Sequence, residues 1–332
     1  MTRTAIIVGC GRIGSAYDED RELTDPRSHA GAYSRSEAVK LIAGVDTSSD
    51  RRERFTARWG VPAYATVEEA LSDRGQPDIW SLCTPPADRP MLVVQAIQNG
   101  ARAIWAEKPL ALRSADAREM VTRAAHARVP LAVGYLRRWD RAHREAAPLL
   151  RDGRLGRLQH VSVRYTRGLL SYGSHALDLL RWYVGEPEWV YGRAASDQDD
   201  EDPSPLAVLG FPGGAVAAFL PVARSTYDIF EIELLGTDGR LRLLENGRRI
   251  ELDTVGPHPD WSDERALTPS GTRFPPGAHG MMRAVVENII ACLEESEPLR
   301  CTGADGIAAL ELVEAIRASV TSGNPVTVRT RR

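Results

Sequence analysis

Lysine is almost missing from this chain: of 42 basic residues, all but Lys40 and Lys108 are arginine. Arginine is forked, planar and permanently charged, whereas lysine is a compact point charge whose pKa shifts on burial. A position that keeps lysine against such a drift is a candidate for chemistry, and Lys108 sits in Ala106-Glu107-Lys108-Pro109-Leu110. The other scarcities are exclusions. Four scattered cysteines form no CxxC pair and no disulfide-dense pattern, which points to a reducing cytoplasm. No histidine stands at ligand spacing from them, so no metal site is expected. No hydrophobic run is long enough to span a bilayer, and the apolar stretch 4–8 is too short for a signal peptide. A net charge of −3 gives no reason to expect nucleic acid or an anionic membrane as partner.

What is present is enough apolar sequence, 43% of 332 residues, for two cores. Short apolar runs at 5–8, 40–45, 79–82, 103–106 and 131–134 alternate with helical stretches at 51–59, 67–73, 91–99 and 114–126. That alternation predicts a parallel sheet with crossover helices over residues 1–135. Beyond it, period-2 strands at 161–165, 206–211, 216–221, 230–235, 241–244 and 250–252 are joined by turn signals. These signals are Pro212-Gly213-Gly214, Thr237-Asp238-Gly239 and Asn246-Gly247. Two amphipathic helices follow, with apolar faces containing Met282, Val285 and Ile289, then Ile307, Leu310 and Val313. Residues 136–332 therefore read as an α+β domain with a large, mostly antiparallel open sheet, whose C-terminal segment can pack back on the first domain. The acidic stretch 197–205 reads as a solvated connection. The Pro- and Gly-rich stretch 256–280 reads as a lid or a subunit-contact arm.

Gly9-Cys10-Gly11-Arg12-Ile13-Gly14 follows the first strand directly. A G-x-G-x-x-G motif has force where a strand turns into a helix, because each glycine then has a task. The first permits the turn, the second lets a pyrophosphate approach the backbone, and the third lets helix pack on strand. The first domain is thus expected to be a Rossmann domain binding NAD(P). Asp46, at the end of the second strand, can accept hydrogen bonds from adenosine ribose hydroxyls, which favours NAD. Its alternative is a helix N-cap. Arg51 and Arg52 blunt the preference, so NADP stays open. From Gly14 to Asp46 the chain runs longer than the roughly 20 residues usual for this motif. The excess, residues 16–28, is expected to interrupt the first helix and to shape the substrate or cofactor entrance.

With Gly9–Gly14, Asp46, Thr84-Pro85 and Glu107-Lys108-Pro109 in that order, the chain resembles the Gfo/Idh/MocA oxidoreductases, nearly end to end. Further segments carry the resemblance: His29-Ala30-Gly31-Ala32-Tyr33, Gly134 to Asp140, Gly173-Ser174-His175-Ala176-Leu177-Asp178, and Tyr227-Asp228 before Gly236 and Gly239. It implies hydride transfer between nicotinamide and a secondary alcohol or ketone of a sugar or cyclitol. Lys108 would lie between nicotinamide and the reacting hydroxyl, with His175 as general acid/base. Gly9, Gly11, Arg12, Ile13, Gly14, Asp46, Thr84, Pro85, Glu107 and Lys108 would hold the cofactor. Two positions depart from the family pattern. Ser171 stands where a carboxylate commonly precedes the histidine, and Arg89 stands near where a histidine often follows Thr-Pro.

The residues support this chemistry on their own terms. Oxidising an alcohol needs a base for the hydroxyl proton and a positive group for the developing alkoxide. His175 suits the first task and Lys108 the second. Ser171, His175 and Asp178 can share one side of a helix and its entry turn. Arg137, Arg138, Ser171, Asp178 and Tyr227 are candidate substrate contacts, the arginines having surface ion pairs as their alternative and the tyrosine sheet packing. Trp139 and Trp182 read as core. The expected partners are a polyol, sugar or nucleotide-sugar substrate and a second copy of the chain, in a homodimer or homotetramer through the C-terminal sheet. Two rival readings are a glycosidase-like enzyme with no net cofactor turnover and a non-catalytic dinucleotide sensor.

Overall fold

The computed structural model describes residues 2–19, 24–195, 201–223 and 227–328. The chain divides into two compact units: Met1–Trp139 with Gly280–Ile307, and Asp140–His279 with Ala308–Arg332.

The first unit is built on six parallel strands: β1 (Arg3–Val8), β2 (Val39–Val45), β3 (Ala63–Tyr64), β4 (Ile79–Leu82), β5 (Ala103–Ala106) and β6 (Leu131–Val133). Their order is β3-β2-β1-β4-β5-β6. Central parallel strands are covered on both faces, so they read as unbroken apolar runs; Ala5 to Val8 and Ile79 to Leu82 are buried throughout. Between the strands lie helices α1 (His29–Ser34), α2 (Ser49–Trp59), α3 (Val67–Arg74), α4 (Arg89–Gln98) and α5 (Ser114–His126). The strand order reverses between β1 and β4. In such sheets ligands bind outside the carboxyl ends of the strands, at that switch point.

The second unit carries α6 (Arg141–Arg151), then β7 (Leu158–Tyr165), α7 (Ser174–Tyr183), β8 (Trp189–Arg193), β9 (Leu206–Gly210), β10 (Val216–Pro221), β11 (Phe230–Gly236), β12 (Gly239–Leu244), β13 (Arg249–Pro257) and β14 (Arg265–Pro269). Helix α8 (Met281–Leu293) belongs to the first unit, where Asn288 Oδ1 accepts the Trp139 indole N–H at 3.0 Å. Helix α9 (Gly303–Ser322) and β15 (Val326–Thr327) close the chain. The nine strands are ordered β14-β13-β12-β11-β7-β10-β9-β8-β15, and every pair is antiparallel except β7 with β10. The three predicted turns join β9 to β10, β11 to β12 and β12 to β13.

One face of this sheet is the core. Val161, Val163, Ile232, Leu234, Leu241 and Leu243 alternate inward and share a buried cluster with Leu177 and Leu180 of α7. The other face is charged toward β12 and β13, where Arg240 pairs with Asp253 at 2.7 Å and Arg242 with Glu251 at 2.8 Å. Trp139 is buried and Trp182 partly buried, both as expected of core residues.

The stretch 256–280 departs from its loop reading. Residues 256–257 pair with Arg265 and Ala266, so the segment opens as a β-hairpin that extends the sheet. Strand β14 escaped sequence reasoning because an edge strand needs no apolar face, and Arg265–Pro269 alternates only between exposed and half-buried positions. Among the described residues no helix is long and apolar enough to cross a membrane.

Candidate active site

The glycine-rich loop follows β1, and its three glycines have three different surroundings. Gly9 has φ +98°, and a Cβ there would lie 2.8 Å from the Cys83 carbonyl carbon, so only glycine makes this turn. At Gly14 a Cβ would stand 2.0 Å from the Gly9 carbonyl oxygen. Gly11 is the opposite case, since a Cβ would meet nothing nearer than Arg51 Nη1 at 3.9 Å. An open approach over Gly11, between two glycines that cannot be replaced, is the shape a pyrophosphate requires. The residues present therefore fit a dinucleotide. Replacing Gly14 by alanine is expected to weaken nucleotide binding by at least about tenfold or to prevent folding, as NADH titration and thermal melting would show.

After Gly14 the chain leaves the helix it has begun. It makes a short 3-10 turn (Ala16–Asp18) and returns at α1, where His29 N–H donates to Ile13 C=O and Ala30 N–H to Gly14 C=O, both at 3.0 Å. The helix resumes its hydrogen-bond ladder as though the insertion were excised. Asp18 closes the excursion at its base: its buried carboxylate accepts the Ser28 N–H at 2.8 Å and hydroxyl at 2.6 Å, and the Arg27 N–H at 3.0 Å. Arg12 lies over the Tyr17 ring at 5.1 Å, bringing loop and insertion together. Residues 20–23 of the predicted entrance segment lie outside the described residues.

Asp46 follows β2. Its Oδ2 accepts the Cys10 N–H of the glycine loop at 2.9 Å and its Oδ1 the Ser48 N–H at 2.9 Å. The N-cap of α2 is Ser48, which accepts from Arg51 N–H, so that alternative for Asp46 falls away. Arg51 Nη1 reaches Asp46 Oδ2 at 3.5 Å, and Arg52 donates to the Asp46 carbonyl at 2.8 Å.

Thr84-Pro85 follows β4, and Glu107-Lys108-Pro109 follows β5, two adjacent strands in register at Leu82 and Ala106. Lys108 is half-buried and precedes a cis proline. Glu107 is buried and enters a chain of side chains: Oε1 meets His29 Nε2 at 3.1 Å, His29 Nδ1 meets Ser81 Oγ at 2.9 Å, and Ser81 Oγ meets Tyr33 Oη at 2.8 Å. His29 stacks on Trp105 with centroids 3.5 Å apart. Gly134 is a glycine because a Cβ there would lie 2.5 Å from Glu107 Oε1. Burial by itself would raise the Glu107 pKa; the hydrogen bond from His29, then the charges of Lys108 and Arg89, outweigh it and hold the carboxyl below its usual range. Burial lowers the His29 pKa. A neutral His29 donating from Nε2 to a Glu107 carboxylate, and accepting at Nδ1 from Ser81, satisfies each group. The buried guanidinium of Arg89, at the start of α4, donates to the carbonyls of Thr84, Glu107 and Pro109.

Both depressed pKa values act in one direction on stability. His29 bound neutral contributes stability above its unfolded value of about 6.5, lost as pH falls below it; Glu107 contributes above its unfolded value of about 4.5, lost as pH falls further. Urea denaturation at pH 7.5, 6 and 5 should therefore show falling stability, and a His29→Gln variant should lose less of its own between pH 7.5 and 6. An equal loss in both would contradict the neutral assignment.

In the second unit a π-helical segment, Gly168–Gly173, runs straight into α7 and carries Ser171; His175 and Asp178 follow on the helix. Asp178 is buried and His175 half-buried. The entry is fixed from outside. Asp202 accepts the Leu170 N–H at 2.9 Å and the Ser171 N–H at 2.8 Å, and pairs with Arg317 at 3.2 Å. A Cβ on Gly168 would strike that carboxylate. The acidic stretch read as a solvated connection thus contains an anchoring residue; its residues 197–200 lie outside the described residues. Tyr227 is 56% exposed, and Asp228 beside it pairs with Arg167. Arg137 and Arg138 lie in a 3-10 turn of the first unit, where Arg138 is buried and pairs with Asp305 at 3.1 Å. Arg89, Ser81 and Asp202 escaped sequence reasoning as site-building residues because their partners are main-chain groups or distant side chains.

A glycine loop open at Gly11, with a buried carboxylate beside it, makes the first unit one that fits a dinucleotide. Comparison with known proteins agrees. Residues 3–135 match the Gfo/Idh/MocA oxidoreductase family's NAD-binding Rossmann fold, and residues 168–328 match its C-terminal alpha/beta domain. The chain belongs to this family and is an NAD(P)-dependent oxidoreductase. It is 26% identical to a D-apiose dehydrogenase of Paraburkholderia graminis, over 97% of this chain and 89% of that one. It is 24% identical to an inositol 2-dehydrogenase of Rhizobium meliloti, over 99% and 100%. Its fold matches the WlbA dehydrogenase of Bordetella pertussis, solved with NADH and UDP-GlcNAcA, with a TM-score of 0.81 and 24% identity over the whole of both chains.

Proposed function

We propose that this protein transfers a hydride between NAD and a secondary alcohol or ketone of a cyclitol, aminocyclitol, sugar or nucleotide-sugar. The observation that carries the reading is the position of Lys108. The half-buried lysine stands on the loop after β5, at the same carboxyl edge of the sheet as the glycine loop and Asp46. Dehydrogenases and an oxidoreductase domain pair among its relatives support it.

In the oxidative direction the substrate carbon loses a hydride and its hydroxyl loses a proton, leaving a ketone. Bound NAD supplies the hydride acceptor. His175 takes the hydroxyl proton through its imidazole, and Lys108 offers its ammonium to the alkoxide as charge develops. Ser171, Asp178, Arg137, Arg138 and Tyr227 are the proposed substrate contacts. Gly9, Gly11, Arg12, Ile13, Gly14, Asp46, Thr84, Pro85, Glu107 and Lys108 are the proposed cofactor contacts.

NAD is the preferred cofactor in this reading because a 2′-phosphate would face the Asp46 carboxylate. Asp46→Ser should weaken NADH binding about tenfold, the worth of a hydrogen bond to a charged group, and leave NADPH less affected. Fluorescence titration of both nucleotides checks this. Proposed too are a cytoplasmic location, in keeping with four free cysteines, and a homodimer or homotetramer through the second sheet, where Leu206 and Val216 are exposed. To test the function, inositols, aminocyclitols, sugars and sugar nucleotides are incubated with the enzyme and NAD⁺ and weighed by mass spectrometry. A substrate that loses two hydrogens supports the reading; one cleaved into two smaller sugars supports glycosidase-like chemistry instead.

A further inference from the structure

We propose that Arg89 is a positioning residue for Lys108, clamping the loop that carries the lysine to the loop that follows β4. This rests on the reading of Lys108 as the reacting lysine. Arg89 is 3% exposed, yet all three of its hydrogen bonds go to main-chain carbonyls: Thr84 on one loop, Glu107 and Pro109 on the other. A guanidinium stays charged when buried. Burying one is costly unless its donors are used; here Nη1 and Nη2 are used on backbone, while the buried Nε meets no acceptor among the described residues. Two of the three acceptors are the carbonyls immediately before and after Lys108, so the guanidinium fixes the backbone of the lysine from both sides. Neither lysine nor histidine can replace it, because only a planar fork presents parallel donors to separate loops. The clamp also sets a fixed positive charge beside the lysine. The charged and titratable groups that share this neighbourhood are Glu107, Asp88, His29, Cys83, Tyr135 and Lys108 itself. With Glu107 favouring a protonated lysine, Arg89 opposes it.

The scarcity of lysine makes a direct test possible. In a Lys40→Arg background labelled with ¹³Cε-lysine, Lys108 gives a single resonance that can be titrated without any substrate. Arg89→Gln removes the charge and keeps one donor; Arg89→Lys keeps a charge and loses the fork, its added resonance being assigned by difference. The expected result is that Arg89→Gln broadens or doubles the Lys108 resonance and moves its titration upward, while Arg89→Lys changes the line shape more than the titration. Either variant, if folded, suffices. An unchanged Lys108 pKa and a single sharp resonance in the folded variant would overturn the proposal. A Lys108→Met variant assayed alongside separates the two ideas: if it stays active the reading of Lys108 fails, and if it is inactive while the Arg89 variant is spectroscopically parental, only the clamp fails.

Discussion

Lys108→Met should abolish hydride transfer while leaving NADH affinity within about threefold of the parent. Lys108 is one proposed cofactor contact among several but the group offered to charge that develops in the transition state, so its loss falls mainly on kcat. Removing one such stabilising group costs roughly 10²–10³ in rate, and a lysine that also tunes the hydroxyl proton should cost at least that. Lys108→Arg is the sharper variant. The chain has arginine at all its other basic positions but Lys40, so if charge alone sufficed, arginine would serve here. It is expected to be nearly as inactive as methionine, because a guanidinium is larger, forked and cannot give up its proton. Activity of either variant within about threefold of the parent would remove Lys108 from the reaction.

His175→Ala should lower kcat by roughly 10²–10⁴, the usual worth of a placed general acid or base. The pH dependence matters more than the size. The parent profile should carry one limb that reports the imidazole, and that limb should vanish in the variant. A slower enzyme with the same limb would mean that His175 is structural, a role also open to it at the start of a helix. Asp202 offers an internal comparison. It holds the segment before α7 by two backbone N–H groups, so its loss should lower the rate yet leave the limb in place.

The parallel sheet was legible because buried parallel strands are unbroken apolar runs, and five of its six strands overlap the five predicted ones. The second sheet was legible through its turns: each of the three glycine-containing signals joins an antiparallel pair. Of the elements not read, β8 and α6 carry a regular pattern, and the rest are defined by pairing alone. β3 and β15 have two residues each, and β14 has no apolar side to betray it. The site divides in the same way. Glycines announce themselves because their backbone demands are local: a Cβ at Gly9 or Gly14 would strike backbone, and Gly11 is open. Glu107 was expected at the cofactor, but its buried partners His29, Ser81 and Tyr33 come from α1 and β4 and have no local signal. Arg89 was visible only as a departure from a family pattern. Its use, donating to carbonyls on two loops, follows from folding and from nothing adjacent in sequence.

Net hydride transfer to nicotinamide is read directly by absorbance at 340 nm. The purified protein is mixed with NAD⁺, then with NADP⁺, against inositols, aminocyclitols, free sugars and sugar nucleotides. The expected result is stoichiometric NADH formation with one of these classes, faster than NADPH formation, and lost in Lys108→Met. Consumption of a substrate without any change in nicotinamide, by folded protein that still binds NADH, would contradict the account.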